Sequence, residues 1–232
     1  MNAAVVIATY NERENLAGLV ASIIEYPGYR VIVVDDDSPD GTGAIADELA
    51  ATSPGRVTAI HRKGARGLGR SLVAGLKQAL ADGADLIFQM DADFSHDPKY
   101  LSLMAAATGR ADLVLGSRYL NGISVVNWPL HRIVLSSVAN RYVRAVTGLE
   151  AHDCTTGYRC WRREALMRMP LDGLISDGYA FLVEQLHVAT RLGCRVCEVP
   201  IIFVERREGA SKLSSSVLME SAIVPWRLRL KR

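Results

Sequence analysis

The 232-residue sequence predicts an α/β domain in which a mostly parallel central sheet is flanked by helices. Two observations carry this reading. Strand-like runs alternate with stretches of helical period through the first half of the chain. The runs are almost continuously apolar, as expected of strands covered by helices on both faces. A third observation adds a place for function. The unusual polar residues fall where the strands end, and open parallel sheets bind ligands beyond those carboxyl ends.

The strand-like runs are "AAVVIATY" (3–10), "YRVIVVDD" (29–36), "RVTAIHR" (56–62), "DLIFQMDAD" (85–93) and "ADLVLGSRY" (111–119). Between them lie the helical stretches 12–26, 41–52, 71–83 and 98–109. Asn11 with Glu14 reads as a capping box, and Asp97-Pro98 as an N-cap followed by the first helical residue. After residue 120 the alternation loosens. Residues 121–131 read as a loop, 132–148 as a helix, 152–161 as an extended segment, 177–193 as a helix and 194–207 as a strand. The last stretch, 214–232, is amphipathic but carries Pro225.

Bulk properties exclude several classes. A hydrophobic fraction of 49% with 22% charged residues describes a packed globule instead of a disordered chain. The formal net charge of +2 gives no electrostatic case for nucleic-acid binding. No apolar run has the length of a membrane span, and the first residues read as a strand, not as a signal peptide. A soluble, intracellular chain is the expectation. The four cysteines include the pair Cys194 and Cys197 in "CRVC", a spacing shared by zinc and redox motifs. That segment is rich in β-branched residues, and in a strand positions three apart face opposite sides. Ordinary small buried thiols are the expected reading.

The strand ends carry the candidate chemistry. Tyr10, Asn11 and Glu12 follow the first run, Asp35 and Asp36 end the second, and Asp91 and Asp93 end the fourth. Asp91-Ala92-Asp93 offers two hard oxygen donors suited to Mg2+ or Mn2+ bridging to nucleotide phosphates, although short acidic runs also serve as turns and caps. Asp97 has a sufficient role as an N-cap and is left out of the metal shell. In "VVDDDSPDGT" an ionised carboxylate could accept hydrogen bonds from a base or ribose, or the cluster could be a solvated turn. "GARGLGRS" (64–71) departs from a phosphate-binding P-loop by Arg70 in the lysine position. A flexible glycine loop over a nucleotide suits it better.

Taken together, "VIATYNERENL", "VVDDDSPDGT", "GLGRSLVAGL", "MDADFSHDP", "GSRY", "DCTTGYR" and "VPIIFVERREGASKL" resemble, in order and spacing, the family-2 glycosyltransferases of GT-A (Rossmann-like) fold. Within that family they closely resemble polyprenol- or dolichol-phosphate mannose synthases. The resemblance implies a catalytic domain over 1–213, with a nucleotide-sugar half to about residue 97 and an acceptor half after it, then a basic tail. It implies that Thr9, Tyr10, Glu12 and Asp36 hold the guanosine of GDP-mannose, with Gly67 nearby. Asp91, Ala92 and Asp93 match the motif that binds the divalent ion. Arg118, Arg132, Ser136, Arg206 and Lys212 match contacts to the donor and acceptor phosphates: Arg118 and Lys212 on the donor side, Arg132, Ser136 and Arg206 on the acceptor side. Asp153 matches an acidic position near the sugar, and Asp93, Arg118 and Asp153 form the implied catalytic set.

Three departures stand out. Asp37 replaces the usual Gly or Asn, Ser95 replaces a glutamine that completes the metal shell in archaeal relatives, and no C-terminal membrane helices follow. The implied reaction is inverting transfer of mannose from GDP-mannose to polyprenyl (dolichyl) phosphate. Attachment to the cytoplasmic face of a membrane would then be peripheral or through a membrane-protein partner. The tail "WRLRLKR" interleaves Trp226, Leu228 and Leu230 with four basic residues and reads either as an interfacial anchor or as a frayed terminus.

Overall fold

A computed structural model describes residues 2–174, 176, 178–205 and 215–230. In chain order the first half holds β1 (Ala3–Thr9), α1 (Arg13–Ile24), β2 (Tyr29–Asp35), α2 (Thr42–Thr52), β3 (Val57–His61), α3 (Leu68–Ala81), β4 (Leu86–Asp91), α4 (Leu101–Ala107) and β5 (Leu113–Ser117). The second half holds β6 (Val125–Val126), α5 (Leu130–Thr147), β7 (Arg159–Arg162), α6 (Arg163–Met167), α7 (Gly178–Arg191), β8 (Val196–Pro200), β9 (Phe203–Val204) and α8 (Ser215–Leu230).

The main sheet has the order β3-β2-β1-β4-β7-β5-β8. All neighbours are parallel except around β7, which runs antiparallel to both β4 and β5. The chain winds outward from β1 in both directions, so β1 and β4 flank the point where the strand order reverses. Pairing brings Ala8 opposite Asp91 and Thr9 opposite Asp35. The acidic ends of β2 and β4 therefore stand level, on either side of the end of β1.

Continuous apolar strands do what their sequence requires. Along β1 and β2, Val6, Ile32 and Val34 face one core layer, while Val5, Ile7, Val31 and Val33 face the other. The first layer is closed by α3 and α7 through Leu72, Leu76, Phe181 and Leu186, the second by α1 through Leu16, Leu19 and Ile23. Helix α3 lies close on the sheet because Gly75 lacks a side chain. A Cβ there would meet Val6 Cγ1 at 2.3 Å and Val34 Cγ2 at 3.0 Å. Gly75→Ala is thus expected to lower stability by ~1–3 kcal/mol through overpacking against stiff β-branched neighbours. A shift of the urea midpoint would measure it, and an unchanged midpoint would contradict this packing.

Several sequence-based expectations are corrected. The capping box does not form: Glu12 occupies the N-cap without a side-chain cap bond, and Asn11 is in the left-handed region with φ 56°. Asp97 does cap its turn, accepting from the Lys99 amide at 2.9 Å. The segment 121–131 contains β6 and the first two residues of α5, and the strand expected over 194–207 divides into β8 and β9. The latter pairs with β6 in a separate two-stranded sheet. Helix α8 continues through Pro225 and packs on the domain, burying Val224 and Leu228 in the core. Tyr142 Oη donates to the Ala222 carbonyl at 2.6 Å, and Arg229 Nη1 to the Val146 carbonyl at 2.8 Å. Leu228 therefore cannot enter a membrane interface, whereas Trp226 and Leu230 remain exposed. Among the described residues no helix is long and apolar enough to cross a membrane.

Candidate active site

At the ends of β1 and β2, buried carboxylates organise the turns. Asp35 accepts from Thr9 Oγ1 (3.1 Å), Ser38 Oγ (2.6 Å) and the Ser38 amide (3.0 Å). The Thr9 hydroxyl thereby serves the turn. Asp36, also buried, pairs with Arg62 through one oxygen and accepts from the Gly67 amide at 2.7 Å through the other. The glycine loop is thus tied by its own backbone to the carboxylate implied in nucleoside binding. Arg66 strengthens that tie, donating to Tyr10 Oη at 2.6 Å and to the Asp37 carbonyl at 3.3 Å. Glu12 is held in place by its amide, which donates to Thr42 Oγ1 at 2.9 Å, and by Asn15 Nδ2 at 3.1 Å from Oε2.

Asp37 has φ 57°, in the left-handed region, which explains why glycine or asparagine suits this position. Its side chain is exposed. Asp37→Ala is expected to cost about 1 kcal/mol, because alanine lacks the short polar side chain that lets aspartate adopt this region, while Asp37→Gly, free of the Cβ clash, costs nothing. Thermal melts of the two variants would separate these outcomes.

Strand β4 ends at Asp91, and the chain then turns instead of staying extended, with Phe94 at φ 61°. Ala92 is buried inside that turn. Asp91 projects a side chain 46% exposed, whereas Asp93 is only 7% exposed. Ser95 fixes Asp93 by donating to Oδ1 from its amide (3.1 Å) and its hydroxyl (2.5 Å). His96 fixes the other arm: its Nδ1 accepts from the Asp91 amide at 3.1 Å, so the neutral ring carries its proton on Nε2. Burial holds His96 below its usual pKa against the upward pull of Asp91 and Asp93. A Cβ on Gly157 would lie 3.1 Å from Asp91 Oδ1, so glycine keeps the space beside that carboxylate open. An exposed carboxylate beside an open space, with a second hard oxygen donor two residues on, fits a small divalent cation. Among the described residues no group of three or more ligating side chains converges, so ligand oxygens and water would have to complete the shell.

An aromatic row joins these carboxylates to the cations. The His96 ring stacks on Tyr158 at 4.9 Å and meets Phe203 edge-on at 5.5 Å. Arg118 lies 5.4 Å from the Phe203 ring centre and 5.6 Å from that of Trp128. Arg132 lies 4.2 Å from the same indole and pairs with Glu205. Both guanidinium groups therefore sit against one aromatic platform.

Arg118 and Asp153 form a buried two-pronged pair, Nε to Oδ2 and Nη2 to Oδ1, each at 2.7 Å. Burial alone would raise the Asp153 pKa, but the Arg118 charge and hydrogen bonds hold it below the usual carboxylate range. Ser136 Oγ accepts from Tyr119 Oη at 2.7 Å.

The fold thus brings Asp91, Arg118, Arg132 and Asp153 to one aromatic row, with Asp93 fixed beside it by Ser95 and Ser136 one helical turn after Arg132. Thr9, Tyr10, Glu12, Asp36 and Gly67 gather across β1 and β2. Arg206 and Lys212 lie outside the described residues. Sequence reasoning missed Arg62, Arg66, Asn140 and Arg159. Asn140 links α5 to the 153–156 turn, accepting from the Cys154 amide at 2.8 Å and donating to the Ser136 carbonyl at 3.1 Å. Arg159 is fully buried and braces the same turn through the carbonyls of Thr156 and Cys154. Burial pushes its pKa down to about 10, which leaves it cationic at neutral pH. A mid-helix asparagine and a strand arginine carry no local signal of such roles.

Comparison with known proteins places the chain in a family. Residues 4–169 match the family described as glycosyl transferase family 2. The chain is 46% identical over 229 residues to a polyprenol monophosphomannose synthase of Mycolicibacterium smegmatis, covering 97% of this chain and 86% of the relative. It is 42% identical over 224 residues to an undecaprenyl-phosphate mannosyltransferase of Micrococcus luteus, covering 96% and 92%. Glucosyl-3-phosphoglycerate synthase from Mycobacterium tuberculosis, solved with Mn2+ and UDP-glucose, shares the fold with TM-score 0.69 at 19% identity, covering 98% of this chain and 78% of that one. A mannosyltransferase from Pyrobaculum calidifontis, solved with GDP-Man and Mn2+, gives TM-score 0.53 at 18% identity, covering 98% and 72%. The family match and the shared fold define a glycosyltransferase of GT-A architecture. The chain belongs to glycosyl transferase family 2.

Proposed function

We propose that the protein transfers mannose from GDP-mannose to a polyprenyl phosphate, with inversion, using Mg2+ or Mn2+ at Asp91 and Asp93. The observation that carries this reading is the placing of an exposed carboxylate and two cations along one aromatic row: Asp91 at one end, the buried Arg118 and the half-buried Arg132 at the other. That arrangement suits a reaction between two anions. The names of the relatives, which act on polyprenyl phosphates, support the acceptor.

A phosphate monoester carries about −1.5 to −2 charges at pH 7, so it needs no general base to become a nucleophile. One of its oxygens bonds to the anomeric carbon as the bond from that carbon to the diphosphate breaks, and GDP leaves with the electron pair. A divalent cation, when bound, supplies positive charge against the departing diphosphate. Ser95 and His96 hold the two aspartates that would seat it. Arg132 and Ser136 receive the acceptor phosphate, with Arg206 and Lys212 assigned to the phosphates by the same reading. Arg118, locked by Asp153, keeps a fixed guanidinium edge facing the two anions without reorganising as charge develops. Thr9, Tyr10, Glu12, Asp36 and Gly67 hold the nucleoside. The acceptor's tail requires the enzyme to work at a membrane surface, on its cytoplasmic face.

The test is a transfer assay with the purified chain, polyprenyl phosphate and Mn2+ or Mg2+, offering GDP-mannose against UDP-glucose. A mannolipid from GDP-mannose alone, lost on chelation, is expected. A glucolipid from UDP-glucose instead, or metal-independent transfer, would overturn the reading.

A further inference from the structure

Large apolar side chains left in solvent cluster on α5 and the segment that leads into it. Of the fourteen exposed among the described residues, six lie between Ile123 and Val138. Leu130, Val134 and Val138, four residues apart, form a stripe along the first half of α5 with exposures of 75%, 53% and 53%. Leu135 widens it, while Ile123 and Val126 extend it ahead of the helix. Single exposed apolar residues need no explanation, but a continuous helical stripe of them does.

Charge selects the occupant. Helix α5 contains no aspartate or glutamate, whereas His131, Arg132, Arg141 and Arg144 are spread along it. A second copy of the chain placed face to face would bring together two helices whose only formal charges are the arginines. An anionic bilayer surface satisfies both halves of the pattern, taking the apolar stripe into the interface and the cations against headgroup phosphates. Geometry agrees with this. Arg132 and Ser136 occupy the other side of the same helix, where Arg132 meets Trp128 and Glu205 and Ser136 meets Tyr119. With the stripe in the interface, those two residues stand about one helix diameter, ~10 Å, above it, at headgroup depth.

We infer that the outer face of α5, Leu130 to Val138, is the surface by which the protein docks on anionic membrane, with Trp226 of α8 playing a lesser part. The inference rests on the proposed reaction only for the orientation of the phosphate site. Flotation of the full chain with vesicles of equimolar phosphatidylglycerol and phosphatidylcholine, containing neither acceptor lipid nor donor, reads the surface alone. Transfer to a short-chain, water-soluble acceptor phosphate reads the active site alone. Wild type and Trp226→Glu are expected to float, and the double variant Val134→Glu/Val138→Glu to lose vesicle affinity by about tenfold or more. The double variant should keep its melting temperature and its activity on the soluble acceptor. Flotation of the double variant like wild type, failure of the wild type to float, or a dimer that the double variant breaks would each overturn the inference. Flotation as expected with no transfer by the wild type would leave the surface standing and the proposed reaction refuted.

Discussion

An Asp93→Asn chain is expected to melt like the wild type and to transfer sugar about 10²–10³-fold more slowly. The fold should tolerate the change because an asparagine carbonyl can still accept from the Ser95 amide and hydroxyl, the two bonds that hold Asp93 Oδ1. What disappears is one negative charge at the end of β4. On the proposed reading, that charge seats the cation that stabilises the leaving diphosphate. Ser95→Ala provides the graded control. It keeps both carboxylates but removes one hydrogen bond, so its effect should be nearer tenfold, the equivalent of ~1 kcal/mol in positioning. Turnover measured across a Mn2+ titration separates the two: Ser95→Ala should recover partly at saturating metal and Asp93→Asn should not. Full metal-dependent turnover by Asp93→Asn would remove the basis of the mechanism.

The carboxylates were legible in the sequence because a parallel strand announces its own end. "LIFQMD" is apolar but for Gln89 until Asp91, and the rule that ligands gather at such ends then assigns a place to the acids. The same holds for Asp35 and Asp36 at the end of β2. What remained hidden depends on contacts distant in sequence. Nothing local tells that Asp153 meets Arg118, 35 positions away, or that Asp36 meets Arg62. Strand β7 was readable as extended but not as the antiparallel member between β4 and β5, since four residues with arginine at both ends lack a parallel strand's apolar run. Arg159 defeats the usual expectation that arginines lie at the surface, because its buried partners are main-chain carbonyls and Gln185. Helix α8 misled for a related reason. Its basic and apolar residues alternate like an interfacial anchor, and only packing against α5 shows that Leu228 faces inward.

The Arg118–Asp153 pair sets the other large effect. Asp153→Ala is expected to destabilise the protein by ~3–5 kcal/mol, because it strips a buried guanidinium of its carboxylate. Arg118 is 8% exposed and Asp153 not at all, so water cannot replace the lost oxygens. For a domain of this length that corresponds to a fall in melting temperature of roughly 6–20 °C. Acid should reveal the origin of the effect. The folded-state pKa of Asp153 is held below its unfolded value, so its contribution is complete above about pH 4 and is lost as pH falls through the depressed folded value. The stability difference between wild type and Asp153→Asn should accordingly be largest near neutral pH and shrink below about pH 4. Urea titrations of both proteins at neutral and acidic pH measure it directly. Arg118→Lys completes the set: it keeps the charge but loses the flat two-pronged geometry, so it should retain more stability than Asp153→Ala while still losing turnover. A difference that stays constant into acid would mean that Asp153 stabilises the turn by its hydrogen-bonding shape alone. The fixed cation assigned to the phosphates would then lack its electrostatic anchor.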